Sequence, residues 1–209
     1  MKLYSAQLSG NCYKIRLLFA QLGLDYELEE VSVIDRSNRP DLLGALNPAL
    51  RVPTLVLDDG RSLAESPAIL QYFAEGTPLL PEDKFTRAQV AQWLSFEQYE
   101  IEARIGLARF LLEISPVDPP SMGFVKYLQQ GGQTGLEAME NHLDNGRTWF
   151  VDDTYTIADI ALYGYSHVAP GAGIDLEPYP NVRAWQQRFN SHDDGQSAAR
   201  VIDRLMGLG

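Results

Sequence analysis

Ser9-Gly10-Asn11-Cys12 is the first place where side-chain types and spacing bear on chemistry. The spacing is that of a C-x-x-C redox pair with serine in the first position, and Cys12 is the chain's one cysteine, so an internal dithiol mechanism is excluded. Cys12 also opens an apolar stripe at helical spacing, continued by Ile15, Leu18, Phe19 and Leu22. It is expected to face a core, as free cysteine usually does, with a reactive thiol as the alternative. Ser9 then has two readings. It caps the helix, or its hydroxyl donates to an anion held at the positive end of that helix.

A second place is Glu65-Ser66-Pro67, where Ser66 reads as an N-cap and Pro67 as the first helical residue. A hydroxyl and free N–H groups at a helix start also suit a carboxylate, and a glutamate beside them suits a cation. Thr156-Ile157-Ala158-Asp159 has the form of a capping box, hydroxyl and acid each reaching the other's backbone N–H, and is read as structural. His142, His167 and His192 are far apart and lack ligand spacing, so no metal site is expected.

The elements that must position these residues follow from the pattern. "KLYSA" is a strand, Cys12 to Leu22 a helix stopped by Gly23, and "DYELEEVSV" a second strand with uncertain ends. A short helix is expected at "PDLLGAL", and "RVPTLVLDDGRSLAES" reads as a hairpin turning at Asp59-Gly60 in a type I′ turn. With the helix from Ser66, the order is β-α-β-(α)-β-β-α. "EGTPLLPEDK" reads as a linker, and everything beyond it as helical. A helix of about 45 Å is expected over residues 85–114, ended by "SPVDPP". Further helices are expected around Leu136, Met139 and Leu143, at "TIADIALYGYSHVA", at "PNVRAWQQRF" and at "SAARVIDRLM".

At 209 residues, 45% hydrophobic and 22% charged, the chain is an ordinary globular composition with no low-complexity tract. A net charge of -11 argues against nucleic acid and against an acidic membrane as partners. The N-terminal residues lack the apolar segment of a signal peptide, and no run reaches the length of a membrane span. One cysteine suits a reducing compartment, so a cytoplasmic location is expected.

The element order, with a proline just before a strand, resembles a thioredoxin-like fold. Three segments, "NPALRVPTL", "LAESPAI" and "TIADIALYGY", resemble those of the glutathione S-transferase family, in that family's order. The likeness covers essentially the whole chain, and the serine-type bacterial enzymes, similar to the theta and zeta classes, are nearest. Where tyrosine-type classes carry their catalytic tyrosine this chain has Ala6 and Gln7, and Tyr4 lies too early in the strand. The resemblance implies an α/β thioredoxin-like glutathione-binding domain (1–75), a linker (76–84) and an all-α domain (85–209) carrying the second-substrate site.

It further implies a glutathione transferase in which Ser9 stabilises the thiolate as a hydrogen-bond donor. An unperturbed thiol, with a pKa of about 8.5, is mostly protonated at neutral pH, so the site must favour the anion. Asn11, Arg39, Arg51, Val52, Pro53, Glu65 and Ser66 are the implied glutathione-binding residues. A cis Val52–Pro53 bond would offer the Val52 backbone to the cysteinyl unit; Glu65 and Ser66 match the γ-glutamyl ammonium and carboxylate; Asn38, Arg39 or Arg51 would take the glycyl carboxylate, Arg39 foremost. Tyr99, Arg104 and Phe110 are candidates for the second, electrophilic and apolar substrate, with Tyr163 or His167 approaching from a later helix. The family's homodimer is implied, and Glu97, Gln98 or Glu102 would be placed to reach a partner subunit. Glutathione is the co-substrate and no metal is needed. The competing functions are a glutathione-dependent disulfide reductase or peroxidase, and a non-catalytic interaction module.

Overall fold

The structure of this chain, a computed structural model, describes residues 1–114 and 122–191. The expected stop at "SPVDPP" (115–120) and the helix at "SAARVIDRLM" (197–206) lie outside the described residues. The chain divides into two compact units, one formed by Met1–Glu75 and one beginning at Gly76.

The first unit runs β1 (Lys2–Ser5), α1 (Gly10–Leu22), β2 (Glu27–Glu30), α2 (Arg39–Leu43), β3 (Thr54–Val56), β4 (Ser62–Ala64) and α3 (Ser66–Ala74). Its sheet has the order β2-β1-β3-β4. β1 lies parallel to β2, a pairing that needs a crossover, and α1 supplies it. β3 is antiparallel to both β1 and β4, with Leu3 opposite Leu55, both fully buried. α1 packs against α3, where the Phe19 ring meets Phe73 edge-on at 4.8 Å. Gly23, at φ +64°, ends α1 by donating to Ala20, while the Leu24 N–H returns to the Phe19 carbonyl.

Two local expectations are corrected. Of the Asp59-Gly60 pair only Gly60 has a positive φ, so the turn is not type I′. Instead the Gly60 N–H donates to the Leu57 carbonyl and the Leu57 N–H donates to the Arg61 carbonyl, a longer loop with its left-handed glycine at the end. Among the described residues, two successive positive φ values occur at Asp152-Asp153, at φ +50° and +49°, between bridged Val151 and Thr154. The second correction concerns α3, whose N-cap is Glu65, not Ser66; Ser66 is the first helical residue and Pro67 the second.

In the second unit α4 (Lys84–Phe96) starts on Asp83, whose carboxylate accepts the Thr86 N–H at 2.8 Å. Helical winding continues to Ile114, but in wider π turns over Glu97–Gly106 and Phe110–Ile114 on either side of α5 (Leu107–Arg109). The Leu79 carbonyl accepts the Ile157 N–H at 3.0 Å, which ties the proline-rich stretch before α4 into this unit. α6 (Met122–Leu143) extends further toward the N-terminus than Leu136, Met139 and Leu143 alone indicate, burying Val125 and Leu128 as well, and its Gly132 and Gly135 pack closely. A Cβ on Gly135 would lie 2.8 Å from Ile101 and 2.9 Å from the Glu100 carbonyl oxygen.

The expected capping box opens α7 (Ile157–Ser166): the Thr156 hydroxyl accepts the Ala158 N–H, and Asp159 accepts the Thr156 N–H. Asp159 is fully buried and also accepts from the Phe150 N–H and from Trp185 Nε1 of α8 (Pro180–Ser191). The Trp185 ring meets Phe150 and Tyr163 edge-on, and Tyr163 stacks on Phe189. Among the described residues no helix is long and apolar enough to cross a membrane.

Candidate functional site

The site is built where β1 hands over to α1. Ser9 N–H donates to the Ala6 carbonyl at 3.1 Å, folding the loop into a turn that sets Ser9 at the N-cap of α1 in extended geometry. Its Oγ accepts the Cys12 N–H at 3.3 Å. A hydroxyl that accepts a bond still carries one proton to donate, so capping and anion binding are compatible in one side chain. The first turn of α1 holds no acidic residue, leaving the positive helix end un-neutralised from within.

Four tethers hold this loop. Arg16 Nη1 donates to Ser5 Oγ (2.6 Å) and to the Ala6 carbonyl (3.1 Å), and Nη2 donates to the Gln7 carbonyl (3.1 Å). The Gln7 N–H donates to Glu30 on β2 at 2.8 Å. Cys12 is fully buried, as its place in the stripe requires, and its Sγ accepts the Ala6 N–H at 3.3 Å. Burial pushes the Cys12 thiol up, against the Ser9 hydroxyl and the Ala6 N–H, which act to lower it. A buried thiol kept protonated is a poor nucleophile.

Asn11, one residue before Cys12, joins α1 to α3. Its Oδ1 accepts from Ser66 Oγ at 3.1 Å and from the buried Lys14 ammonium at 2.8 Å. Ser66 is therefore buried beside Asn11, and its hydroxyl proton is committed there. The Ala68 and Ile69 N–H groups both return to the Glu65 carbonyl, and Pro67 has none, so the open donor at the start of α3 is the Ser66 N–H, for which no acceptor occurs among the described residues. Glu65 is exposed and sits at φ +68°. A left-handed glutamate costs about 1–3 kcal/mol and persists only where its surroundings enforce it, which makes the Glu65-Ser66 corner a functional candidate on geometry alone.

Arg39, expected foremost for the glycyl carboxylate, is placed differently. It is buried at the start of α2, and its guanidinium donates to the Ser32 carbonyl (2.9 Å from Nη2) and to the Leu50 carbonyl (3.1 Å from Nη1). Those bonds brace left-handed Leu50, which leads into Arg51, Val52 and Pro53. Asn38 and Arg51 are exposed, and among the described residues no partner holds the Arg51 guanidinium. The Val52–Pro53 bond is cis, as expected. Neither the N–H nor the carbonyl of Val52 has a main-chain partner among the described residues, so both can pair with an extended peptide-like ligand. A cavity of about 380 Å³ adjoins the loop before Ser9, between Ala6 and Leu8 on one side and Ser32, Val33, Ile34 and Asn38 on the other.

The residues expected to meet a second substrate belong to the helical unit. Tyr99 is exposed, and the Arg104 guanidinium lies over its ring at 5.5 Å and over Tyr127 at 5.1 Å. Nothing in the sequence signals Tyr127, since a lone exposed aromatic has no distinguishing neighbours until the fold brings Arg104 over its ring. Phe110 is half-buried at the start of the second π stretch. Tyr163 and His167 are corrected: Tyr163 is buried with its hydroxyl on Asn190, and His167 stacks on the Tyr163 ring and bonds the Tyr163 carbonyl. Glu97 is fully buried and accepts from Gln98 Nε2 at 2.8 Å, so it is not placed to reach a partner subunit. Among the described residues no group of His, Cys, Asp and Glu could hold a metal ion.

Residues 3–81 match the family model described as the glutathione S-transferase N-terminal domain, and residues 125–193 the one described as its C-terminal domain. The chain is 30% identical over 202 residues to a maleylacetoacetate isomerase of Pseudomonas aeruginosa, covering 88% of each chain. It is 31% identical over 189 residues to the disulfide-bond oxidoreductase YfcG of Escherichia coli, covering 87% of this chain and 86% of that one. Among solved structures, a glutathione S-transferase from Pseudomonas fluorescens superposes with a TM-score of 0.87 at 40% identity, over 93% of this chain and 96% of that chain.

Proposed function

The chain belongs to the glutathione S-transferase family, and from that premise we propose that it binds glutathione in the α/β unit, ionises its thiol at Ser9 and transfers the sulfur to a small electrophilic, apolar molecule. The observation that carries this reading is the position of Ser9, a hydroxyl at the N-cap of a helix whose first turn holds no acid. A donor there favours the sulfur anion, and the helix end adds to it. The open main chain of Val52 suits the cysteinyl unit, the Ser66 N–H with exposed Glu65 the two charges of the γ-glutamyl end, and Arg51 with Asn38 the glycyl carboxylate. Asn11 holds Ser66 against α1 and Arg39 braces the Arg51–Pro53 turn, so these two position ligand-facing groups without being needed on the ligand.

The thiol proton first passes to solvent; the thiolate then forms a carbon–sulfur bond as the carbon–halogen bond breaks and halide leaves, or as an epoxide carbon–oxygen bond breaks and the resulting alkoxide takes a proton from solvent. Holding the nucleophile ionised and oriented is the chain's contribution. A relative named as an isomerase and another named as a disulfide-bond oxidoreductase support a second reading, in which the same thiolate adds reversibly to an activated double bond or attacks a disulfide.

Mass balance separates these chemistries. Calorimetric titration with glutathione comes first, and absence of binding refutes the reading and leaves a non-catalytic module. With binding established, glutathione is followed by chromatography during turnover of aryl halides, epoxides, enones, peroxides and mixed disulfides. Conjugation consumes one glutathione per product, isomerisation consumes none, and disulfide or peroxide reduction converts two into the oxidised dimer.

A further inference from the structure

Arg16 differs from the other charged groups of the α/β unit in what its hydrogen bonds serve. Its side chain is almost fully buried, and its bonds all go to the end of β1 and the loop that follows it: Ser5 Oγ at 2.6 Å, the Ala6 carbonyl at 3.1 Å and the Gln7 carbonyl at 3.1 Å. No carboxylate pairs with it among the described residues. Burying a cation without a counter-charge is costly, and a neutral donor could tie the same carbonyls. The charge itself therefore calls for an explanation.

We propose that Arg16 is a positioning residue for the ligand sulfur, its un-neutralised charge held beneath the β1–α1 loop so as to favour the anion at Ser9. The proposal rests on the glutathione reading above. Nη2 lies 3.1 Å from the Gln7 carbonyl, and the two residues from Gln7 to Ser9 span at most about 7 Å. The guanidinium thus sits within about 10 Å of Ser9, where a unit charge at an effective dielectric near 20 changes an ionisation constant by roughly tenfold. The other titratable groups around it do not cancel this field. Cys12 on the same helix and Tyr26 after it are both held in their neutral forms by burial, though the Arg16 charge acts to lower each. Lys14 is a cation directed to Asn11, and the Glu30 carboxylate is exposed to water and engaged by the Gln7 N–H.

The test uses the full chain saturated with glutathione and follows the ultraviolet absorbance of the bound thiolate against pH, with urea unfolding of each variant alongside. Arg16→Met keeps length and apolar volume but removes the charge; Arg16→Lys keeps the charge and loses the fork. The expected result is a bound-thiol midpoint about one pH unit higher in Arg16→Met and within about threefold of wild type in Arg16→Lys. A purely structural brace lowers stability in both variants and leaves both midpoints where they were, and that result overturns the proposal. Should Arg16→Met fail to fold, Arg16→Gln, a neutral donor, carries the same test with the same tenfold expectation. If wild type itself binds no glutathione, the functional reading falls and this inference with it; if wild type binds and titrates but the neutral variants titrate identically, only the role of Arg16 falls.

Discussion

Replacing Ser9 separates the two jobs assigned to it. As a cap, Ser9 Oγ accepts the Cys12 N–H at 3.3 Å, beyond the favoured distance for such a bond, so Ser9→Ala is expected to cost only about 0.5–1 kcal/mol of unfolding free energy. As a thiolate donor it makes a hydrogen bond to a charged group, worth about 1.5–3 kcal/mol, which at about 1.4 kcal/mol per pH unit moves the bound-thiol midpoint by roughly one to two pH units. Ser9→Asp keeps a capping oxygen but sets a carboxylate against the anion. That variant should therefore retain nearly wild-type stability while its thiol midpoint rises at least as far as in Ser9→Ala. The assay pairs urea unfolding with a pH titration of thiolate absorbance in glutathione-saturated protein. A cap alone lowers the stability of Ser9→Ala and leaves its thiol midpoint unchanged; a cap that is also a donor raises that midpoint as well, and Ser9→Asp shows that the midpoint moves without a loss of stability. If Ser9→Ala loses its cap energy but titrates with the wild-type midpoint, Ser9 is a structural residue and the proposed mechanism is wrong.

Three further outcomes are expected. Burial pushes the Asp159 carboxyl from 3.8 up to about 7 in the folded chain, so its contribution to stability is full below about pH 4 and is lost as pH rises through about 7. Between those values wild type should lose stability relative to Asp159→Asn, by up to about 4 kcal/mol, and parallel urea-unfolding profiles would show that Asp159 does not titrate there. Gly135→Ala, which forces a Cβ to within 2.9 Å of the Glu100 carbonyl oxygen, should destabilise by about 1–2 kcal/mol, overpacking outweighing the helix-propensity gain; a stabilised variant refutes close packing of α6 on the π-wound segment. Arg51→Ala should weaken glutathione binding about two- to fivefold at unchanged melting temperature, whereas Arg39→Ala, by stripping donors from the Ser32 and Leu50 carbonyls, should lower unfolding free energy by about 1–3 kcal/mol. Calorimetry and thermal melts on the two variants check this, and the reversed pattern would return the glycyl carboxylate to Arg39.

The amino-acid sequence already carries the order of elements, because hydrophobic period and turn residues are local signals: the α1 stripe from Cys12, the stop at Gly23 and the Thr156–Asp159 box all lie where their spacing places them. It also determined that Cys12 faces inward, since a helical stripe fixes the azimuth of each of its members. What it left open were the partners of polar groups, which are long-range. Arg16 and Lys14 are both buried, Arg16 donating to the Gln7 carbonyl and Lys14 to the Asn11 side chain, and neither partner is signalled by the helical stripe. Arg39 reads as a ligand-binding cation in the sequence, but in the fold the carbonyls of Ser32 and Leu50, 7 and 11 residues away, accept its guanidinium bonds. Ser66 reads as an N-cap because serine before proline commonly is one; in the fold Glu65 takes the cap at a positive φ and the Ser66 hydroxyl goes to Asn11, 55 residues distant. Local propensity settles which residue can cap, turn or face a core, and the tertiary fold decides which polar groups remain available to a ligand, because a hydrogen bond made within the protein is one that the ligand does not receive.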